Sequence, residues 1–238
     1  MKKVNLNILF RSLMFNIFFF TALFIAVVLF YPVVFLPRKM VIKYWYYLAY
    51  VLNYITERVA GITCEIEGIE NVKDKCVIYA SRHESLWETM FLVYFFKHGM
   101  FIVKKELADI PFFGSFLKKI GMLAVDRKRG AKSLLNVIEK SQEIISDGHP
   151  IVIFPEGTRC KTDQPVIIKK GIAMIYDKVK VPVVPVVLNS GKFWPRRGFI
   201  KYPGKITLRF LPQIDPGMKT SEFSTELENI LNNGLKSL

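Results

Sequence analysis

Three histidines occur in the 238 residues, and one of them, His83, lies among neighbours that could make it a base. The run reads Ser81-Arg82-His83-Glu84-Ser85-Leu86-Trp87-Glu88-Thr89-Met90 and passes into apolar Phe91, Leu92, Val93, Phe95 and Phe96. An alcohol is too weak an acid to attack an acyl carbonyl unaided, so the reaction needs a base as the bond forms. A histidine oriented by a carboxylate does that work. Five residues separate His83 from Glu88, about 140° around a regular helix at ~100° per residue, so the two do not share a helix face. With Ser81 or a near neighbour as the cap, His83 can instead sit on a non-helical lead-in and fold its ring back to Glu88 one turn inside. There the positive end of the helix disfavours imidazolium, whereas the Glu88 carboxylate fixes the tautomer and stabilises the cation; the two effects oppose.

A second run, Phe154-Pro155-Glu156-Gly157-Thr158-Arg159, follows an apolar stretch and ends in a guanidinium. Gly157 permits close backbone approach, and the N–H groups with Arg159 suit a phosphate or an oxyanion. A structural turn in which Glu156 pairs with Arg159 is the alternative. His98 and His149 lack comparable neighbours and read as structural or solvated. Cys64, Cys76 and Cys160 are odd in number, far apart and form no CxxC or Cys/His cluster. They read as reduced thiols of a cytosol-facing domain, with no disulfide frame and no metal site.

The elements that must position these groups read as an α/β fold, a mostly parallel sheet flanked by helices. Candidate strands are Cys76 to Ala80, Phe101 to Val103, Met122 to Val125, Ile151 to Phe154, Val183 to Leu188 and Ile206 to Phe210. Leu134, Leu135, Ile138 and Ile145 share one face of a helix that Gly148 suits as a terminator, so strand, helix and strand make a parallel crossover. Ligand groups gather past the carboxyl ends of strands in such sheets. His83 and the turn from Pro155 both satisfy that rule.

Ahead of this domain, Ser12 to Leu36 carries no charge. As a helix it extends roughly 37 Å, enough for a ~30 Å hydrocarbon layer, and it is too long for a cleaved signal peptide. Lys2, Lys3 and Arg11 before it balance Arg38, Lys39 and Lys43 after it, so charge does not fix its orientation. The aromatic stretch from Tyr44 to Tyr54 suits the headgroup layer. Residues 1–60 therefore read as a membrane-anchoring helical segment, either one span or a two-helix hairpin in one leaflet, and residues 61–238 as a single catalytic domain. Lys and Arg number 34 against 20 Asp and Glu. That excess fits nucleic acid, anionic lipid or a phosphorylated substrate, and composition does not choose among them.

Taken together, His83, Glu88 and the run at 154 to 159 resemble the glycerolipid acyltransferase family, specifically bacterial 1-acylglycerol-3-phosphate acyltransferases. The resemblance extends from Ile69 to Leu188. Lys104-Lys105-Glu106-Leu107, Ile110 to Gly114 and Gly121 to Arg127 look like the family's second block, whose arginine is associated with the acceptor. Val181-Pro182-Val183-Val184-Pro185-Val186 looks like its fourth, associated with the acyl pocket. Glu88 stands where the family usually has Asp, as in a variant resembling alphaproteobacterial members. The resemblance implies His83 as general base, Glu88 as its orienting carboxylate, and Arg127, Glu156, Gly157, Thr158 and Arg159 as acceptor-phosphate and site-shaping residues. Lys104 and Lys105 assist with anions or are a solvated pair.

The expected reaction moves a fatty acyl group from acyl-CoA or acyl carrier protein to the sn-2 hydroxyl of lysophosphatidic acid, with no cofactor, no metal and no acyl-enzyme at Ser85 or Cys160. Expected partners are membrane lipids, lysophosphatidic acid and the acyl donor, without nucleic acid. The expected location is the inner membrane, with the catalytic domain facing the cytoplasm. Another lysolipid acceptor such as a lyso-ornithine lipid is a rival that acceptor profiling separates. A basic, membrane-anchored lipid-binding protein without chemistry is a second rival, and lipid binding that survives His83 and Glu88 substitution with no product would mark it.

Overall fold

The computed structural model describes residues 4–238 apart from 74, 127 and 129. The chain starts with a helical hairpin. Helix α1, Leu6–Phe24, opens on Asn5, whose side chain accepts the Ile8 N–H at 2.9 Å, and it runs on through a π-helical turn, Ile25–Leu29. Pro32 and Pro37 then end the helix, since neither has an N–H to donate and Pro37 holds Leu36 extended with ψ 165°. After a short 3-10 segment, α2 spans Arg38–Ile55 and packs back on α1. The uncharged stretch is thus a helix and a corner. Arg38, which would be costly in hydrocarbon, donates to the Ile120 carbonyl at 3.0 Å.

The sheet has seven strands: β1 Ile62–Glu67, β2 Ile78–Ser81, β3 Met100–Lys104, β4 Leu123–Val125, β5 Ile151–Ile153, β6 Val183–Leu188 and β7 Gly204–Phe210. Their order is β1-β7-β6-β2-β5-β3-β4, parallel throughout except where β7 meets β6. All six expected strands are present with small boundary shifts. Cys76 and Val77 precede β2, for instance, because Cys76 takes a positive φ of 54°. The additional strand is β1, at the sheet edge, where Thr63, Glu65 and Glu67 alternate with Ile62, Cys64 and Ile66. The crossover helix is α6, Gly130–Ser146; Ile138 and Ile145 lie on its buried side with Val137, whereas Leu135, expected on that face, is exposed, and β3 lies between β4 and β5 in the sheet.

Two apolar layers sandwich the sheet. On one face the hairpin, α3 (Trp87–Phe95) and α5 (Phe113–Ile120), which follows the short α4 (Lys105–Ala108), bury Phe15, Phe19, Trp45, Leu92 and Phe116 against Tyr79, Val152 and Val184. On the other, α6, α7 (Lys170–Val179) and α8 (Thr220–Lys236) bury Val137, Ile172, Tyr176, Phe223 and Leu227 against Ile78, Ile151 and Val183. The hairpin's outer side keeps Phe10, Ile17, Phe18, Phe24, Leu29 and Phe30 exposed. Leu6–Leu29 is long and apolar enough to cross a membrane.

Candidate active site

Strands β2 and β5 are parallel neighbours in register, Ala80 beside Ile153, so their carboxyl ends deliver His83 and the Pro155 turn side by side. Each strand is only three or four residues long and fully buried, which leaves the following polar residues at the rim. The two connections then lock together. Glu156 Oε2 accepts the His83 N–H at 3.0 Å, the His83 carbonyl accepts the Cys160 N–H at 2.8 Å, and the imidazole stacks on Phe154 at a centroid distance of 4.0 Å.

His83 precedes α3 on a non-helical lead-in, and its Nδ1 lies 2.7 Å from Glu88 Oε1. The same oxygen accepts the N–H groups of Glu84 and Ser85, at 2.7 and 2.8 Å; Oε2 accepts the hydroxyls of Ser85 and Ser190, at 2.9 and 2.8 Å. Ser85 Oγ in turn accepts the Trp87 N–H at 2.9 Å. Ser85 thus ties down the first turn of α3 through the Trp87 N–H while Glu88 reaches back to the Ser85 N–H, and Ser81, which bonds its neighbour's carbonyl, takes no part. Burial pushes Glu88 up, but its bonds and charge interaction with His83, helped by Ser85 and Ser190, hold it below the usual carboxylate value. An ionised carboxylate only accepts, so Nδ1 carries the proton, and in the neutral tautomer this selects Nε2 has the lone pair.

Beneath this pair lies a network that sequence reading passed over. Arg82 is wholly buried; its guanidinium meets Glu84 Oε1 at 3.2 Å, Glu156 Oε1 at 2.9 Å and the carbonyls of Lys161 and Gln164 at 2.6 and 2.8 Å. Glu84 Oε2 accepts from Thr162 Oγ1 at 3.2 Å and Gly191 N–H at 2.8 Å. Two carboxylates thus share one guanidinium. Burial drives Glu84 up to about 7 and also raises Glu156. The signal available in the sequence was weak: an arginine beside a histidine after a strand reads first as a solvated charge.

A cavity of about 720 Å³ opens beside His83. Its walls include Phe101 and Ile153 of the sheet, Leu134 and Val137 of α6, and Ile172 and Ile175 of α7. Gly157, Thr158, Arg159 and Lys104 border it with His83. Glu156 does not. It was expected to help bind the acceptor, but it is 2% exposed and holds Arg82 and the His83 backbone behind the site. The lysine pair also divides: Lys105 turns away to Asp126, Nζ to Oδ2 at 3.1 Å, and leaves Lys104 alone at the cavity. Gly157, with φ 69°, directs its N–H to the Phe154 carbonyl at 2.9 Å. Arg127 lies outside the described residues.

Ser85 is buried with its hydroxyl engaged, and burial raises the Cys160 thiol above its ordinary value, so neither is primed as a nucleophile. His98 and His149 approach each other at 6.1 Å beyond the amino ends of β3 and β5, across the sheet from His83. No group of His, Cys, Asp and Glu suited to a metal occurs among the described residues.

A mostly parallel sheet with its polar groups gathered past two adjacent strand ends belongs to the α/β class that places chemistry at that edge. Similarity narrows the class: a profile described as Acyltransferase matches residues 63–189, more than half of the chain, and the chain belongs to that family. The 1-acyl-sn-glycerol-3-phosphate acyltransferase of Pseudomonas aeruginosa is 37% identical over 153 residues, 64% of this chain and 60% of the relative. That of Helicobacter pylori is 30% identical over 171 residues, 71% of each. The crystal structure of the 1-acyl-sn-glycerophosphate (LPA) acyltransferase from Thermotoga maritima matches with a TM-score of 0.78 at 26% identity, covering 96% of both chains. The chain thus spans about 60% of the length of the Pseudomonas relative and nearly all of the Thermotoga structure.

Proposed function

We propose that this protein transfers a fatty acyl group from an acyl thioester to the sn-2 hydroxyl of lysophosphatidic acid, forming phosphatidic acid. The observation that carries the reading is the placement of the His83 imidazole and the Arg159 guanidinium on one cavity whose interior is apolar. His83 Nε2 takes the hydroxyl proton while the oxygen bonds to the thioester carbon. The C–S bond then breaks, and the leaving thiolate recovers the proton from the imidazolium that Glu88 has stabilised. Arg159, at the end of the turn that begins at Pro155, meets the phosphate of the acceptor at the rim of the cavity. The aliphatic walls between the sheet, α6 and α7 take the acyl chain.

Acyl-CoA or acyl carrier protein serves as donor, and both are acidic partners for a chain of net charge +14. Lys104 adds positive charge at the cavity, and the apolar outer side of the hairpin rests in the bilayer, placing the site where a single-chain lipid resides. We assign the protein to the inner membrane with its catalytic domain on the cytoplasmic side.

The test is donor and acceptor profiling in detergent or bilayers, with thioester consumption and lipid product followed together. Lysophosphatidic acid should be converted with either or both donors, and the same lipid without its phosphate should be a poor substrate. Equal use of phosphate-free acceptors, or no product with any donor, would refute the reading.

A further inference from the structure

Two arginines unremarked in the sequence border the same cavity, Arg196 and Arg197, both otherwise exposed. They belong to the loop joining β6 to β7, and α1 fastens that loop on both sides of them. Trp194 is buried edge-on against Phe15 and Phe19, with centroids 5.0 and 5.3 Å away. Lys201 is buried too; its ammonium donates to the carbonyls of Gly198 and Phe199 at 2.8 and 3.0 Å and lies over the Phe15 and Trp194 rings. The Lys201 N–H also donates to Ser12 Oγ at 2.9 Å. Between these anchors Arg197 takes a φ of 59°, a backbone state that a non-glycine residue adopts only where its surroundings impose it.

Arg196 Nη1 donates to the Arg159 carbonyl at 2.7 Å, so the loop grips the end of the turn that begins at Pro155. Among the described residues none of Arg159, Arg196 and Arg197 has a carboxylate at ion-pair distance. Burial and the two neighbouring arginine charges lower Arg159, against the pull of Glu88, as expected where like charges crowd. Such a cluster is completed by an anion able to take several N–H donors at once.

We infer that Arg196 and Arg197, with Arg159, form a cradle for the phosphate monoester of the acyl acceptor. The inference rests on the acyl-transfer reading for the identity of the lipid. Placement selects the acceptor over the donor. In lysophosphatidic acid the phosphate sits on the carbon next to the one bearing the reacting hydroxyl, so it must lie close to His83. The phosphates of coenzyme A are a whole pantetheine arm from the thioester. Because α1 holds the loop, the cradle is also placed with respect to the bilayer from which the acceptor comes.

Equilibrium binding to full-length His83→Ala protein in detergent tests this without turnover, with Arg197→Gln, Arg196→Gln and both together added. Lysophosphatidic acid should bind about tenfold more weakly for each arginine removed, with partial recovery in Arg197→Lys. Monoacylglycerol and coenzyme A should each bind within about twofold of the parent. Arg197→Gln decides the matter if Arg196→Gln disturbs the turn, since Arg197 makes no bond to Arg159. Undiminished lysophosphatidic acid binding in Arg197→Gln, or a loss confined to coenzyme A, would overturn the cradle. Lysophosphatidic acid binding that depends on both arginines, together with no product from the unsubstituted protein and any acyl thioester, would instead overturn the acyl-transfer reading and leave the cradle in place.

Discussion

Arg82 and Glu156 meet with no solvent between them, Nη1 to Oε1 at 2.9 Å, and the second oxygen of the same carboxylate holds the His83 backbone N–H at 3.0 Å. The connection after β2 and the turn after β5 are thereby one unit. The charge pair fixes where the imidazole stands relative to Arg159, although neither member of the pair borders the cavity.

Replacing Arg82 with Met should leave two buried carboxylates without their counter-charge and remove four hydrogen bonds. Loss of one partner of a buried pair costs on the order of 3–5 kcal/mol. Denaturant unfolding in detergent should report a loss of that size, and a change under about 0.5 kcal/mol, the scale of ordinary surface substitutions, would deny Arg82 this role.

Glu88→Gln keeps an oxygen for the Glu84 and Ser85 N–H groups but removes the charge that supports imidazolium. Turnover should fall by roughly 10²- to 10⁴-fold with little change in acceptor KM. Glu88→Asp, one methylene shorter, should recover part of the rate. A Glu88→Gln enzyme with near-normal kcat would mean that the carboxylate only caps α3.

Burial raises the Glu84 carboxyl from 4.5 to about 7, with the Glu88 charge adding to the effect. Between those values folded Glu84 holds a proton that the unfolded chain has released, so this group's contribution to stability is full below pH 4.5 and is lost as pH rises toward 7. Glu84→Gln keeps the shape without the titration. Unfolding midpoints taken across that window should slope downward for the native chain and flatten for the variant. Identical slopes would show that another group sets the dependence.

Ile175, on the α7 wall of the cavity, is 2% exposed. Ile175→Trp should fill the apolar space at a stability cost of about 1–3 kcal/mol. Competition between long and short acyl thioesters should then shift toward the short chain. An unaltered product profile would place the acyl chain elsewhere.

Much of this site is legible in the sequence because its signals are local. The spacing of His83 and Glu88 is inconsistent with a shared helix face and compatible with a bent lead-in, which is the geometry found. Adjacent placement of β2 and β5 made two strand-end runs into one rim, and that follows the α/β rule rather than any residue pair. What stayed hidden depends on distant partners. Arg82 becomes structural only when Glu156, Lys161 and Gln164 fold over it, and Arg196 and Arg197 reach the cavity only because Trp194 and Lys201 dock on α1. Lys105 and Glu156 looked available for substrate until Asp126 and Arg82 claimed them. Strand β1 was missed because an edge strand with charged alternate positions carries little apolar signal.

The central claim is that the His83 imidazole takes the acceptor proton, and the initial rate of phosphatidic acid formation by His83→Ala protein tests it most directly. The rate should fall by roughly 10²-fold or more, alongside an unfolding midpoint close to that of the unaltered chain. A variant that folds normally and still forms product within about twofold of the original rate would contradict it.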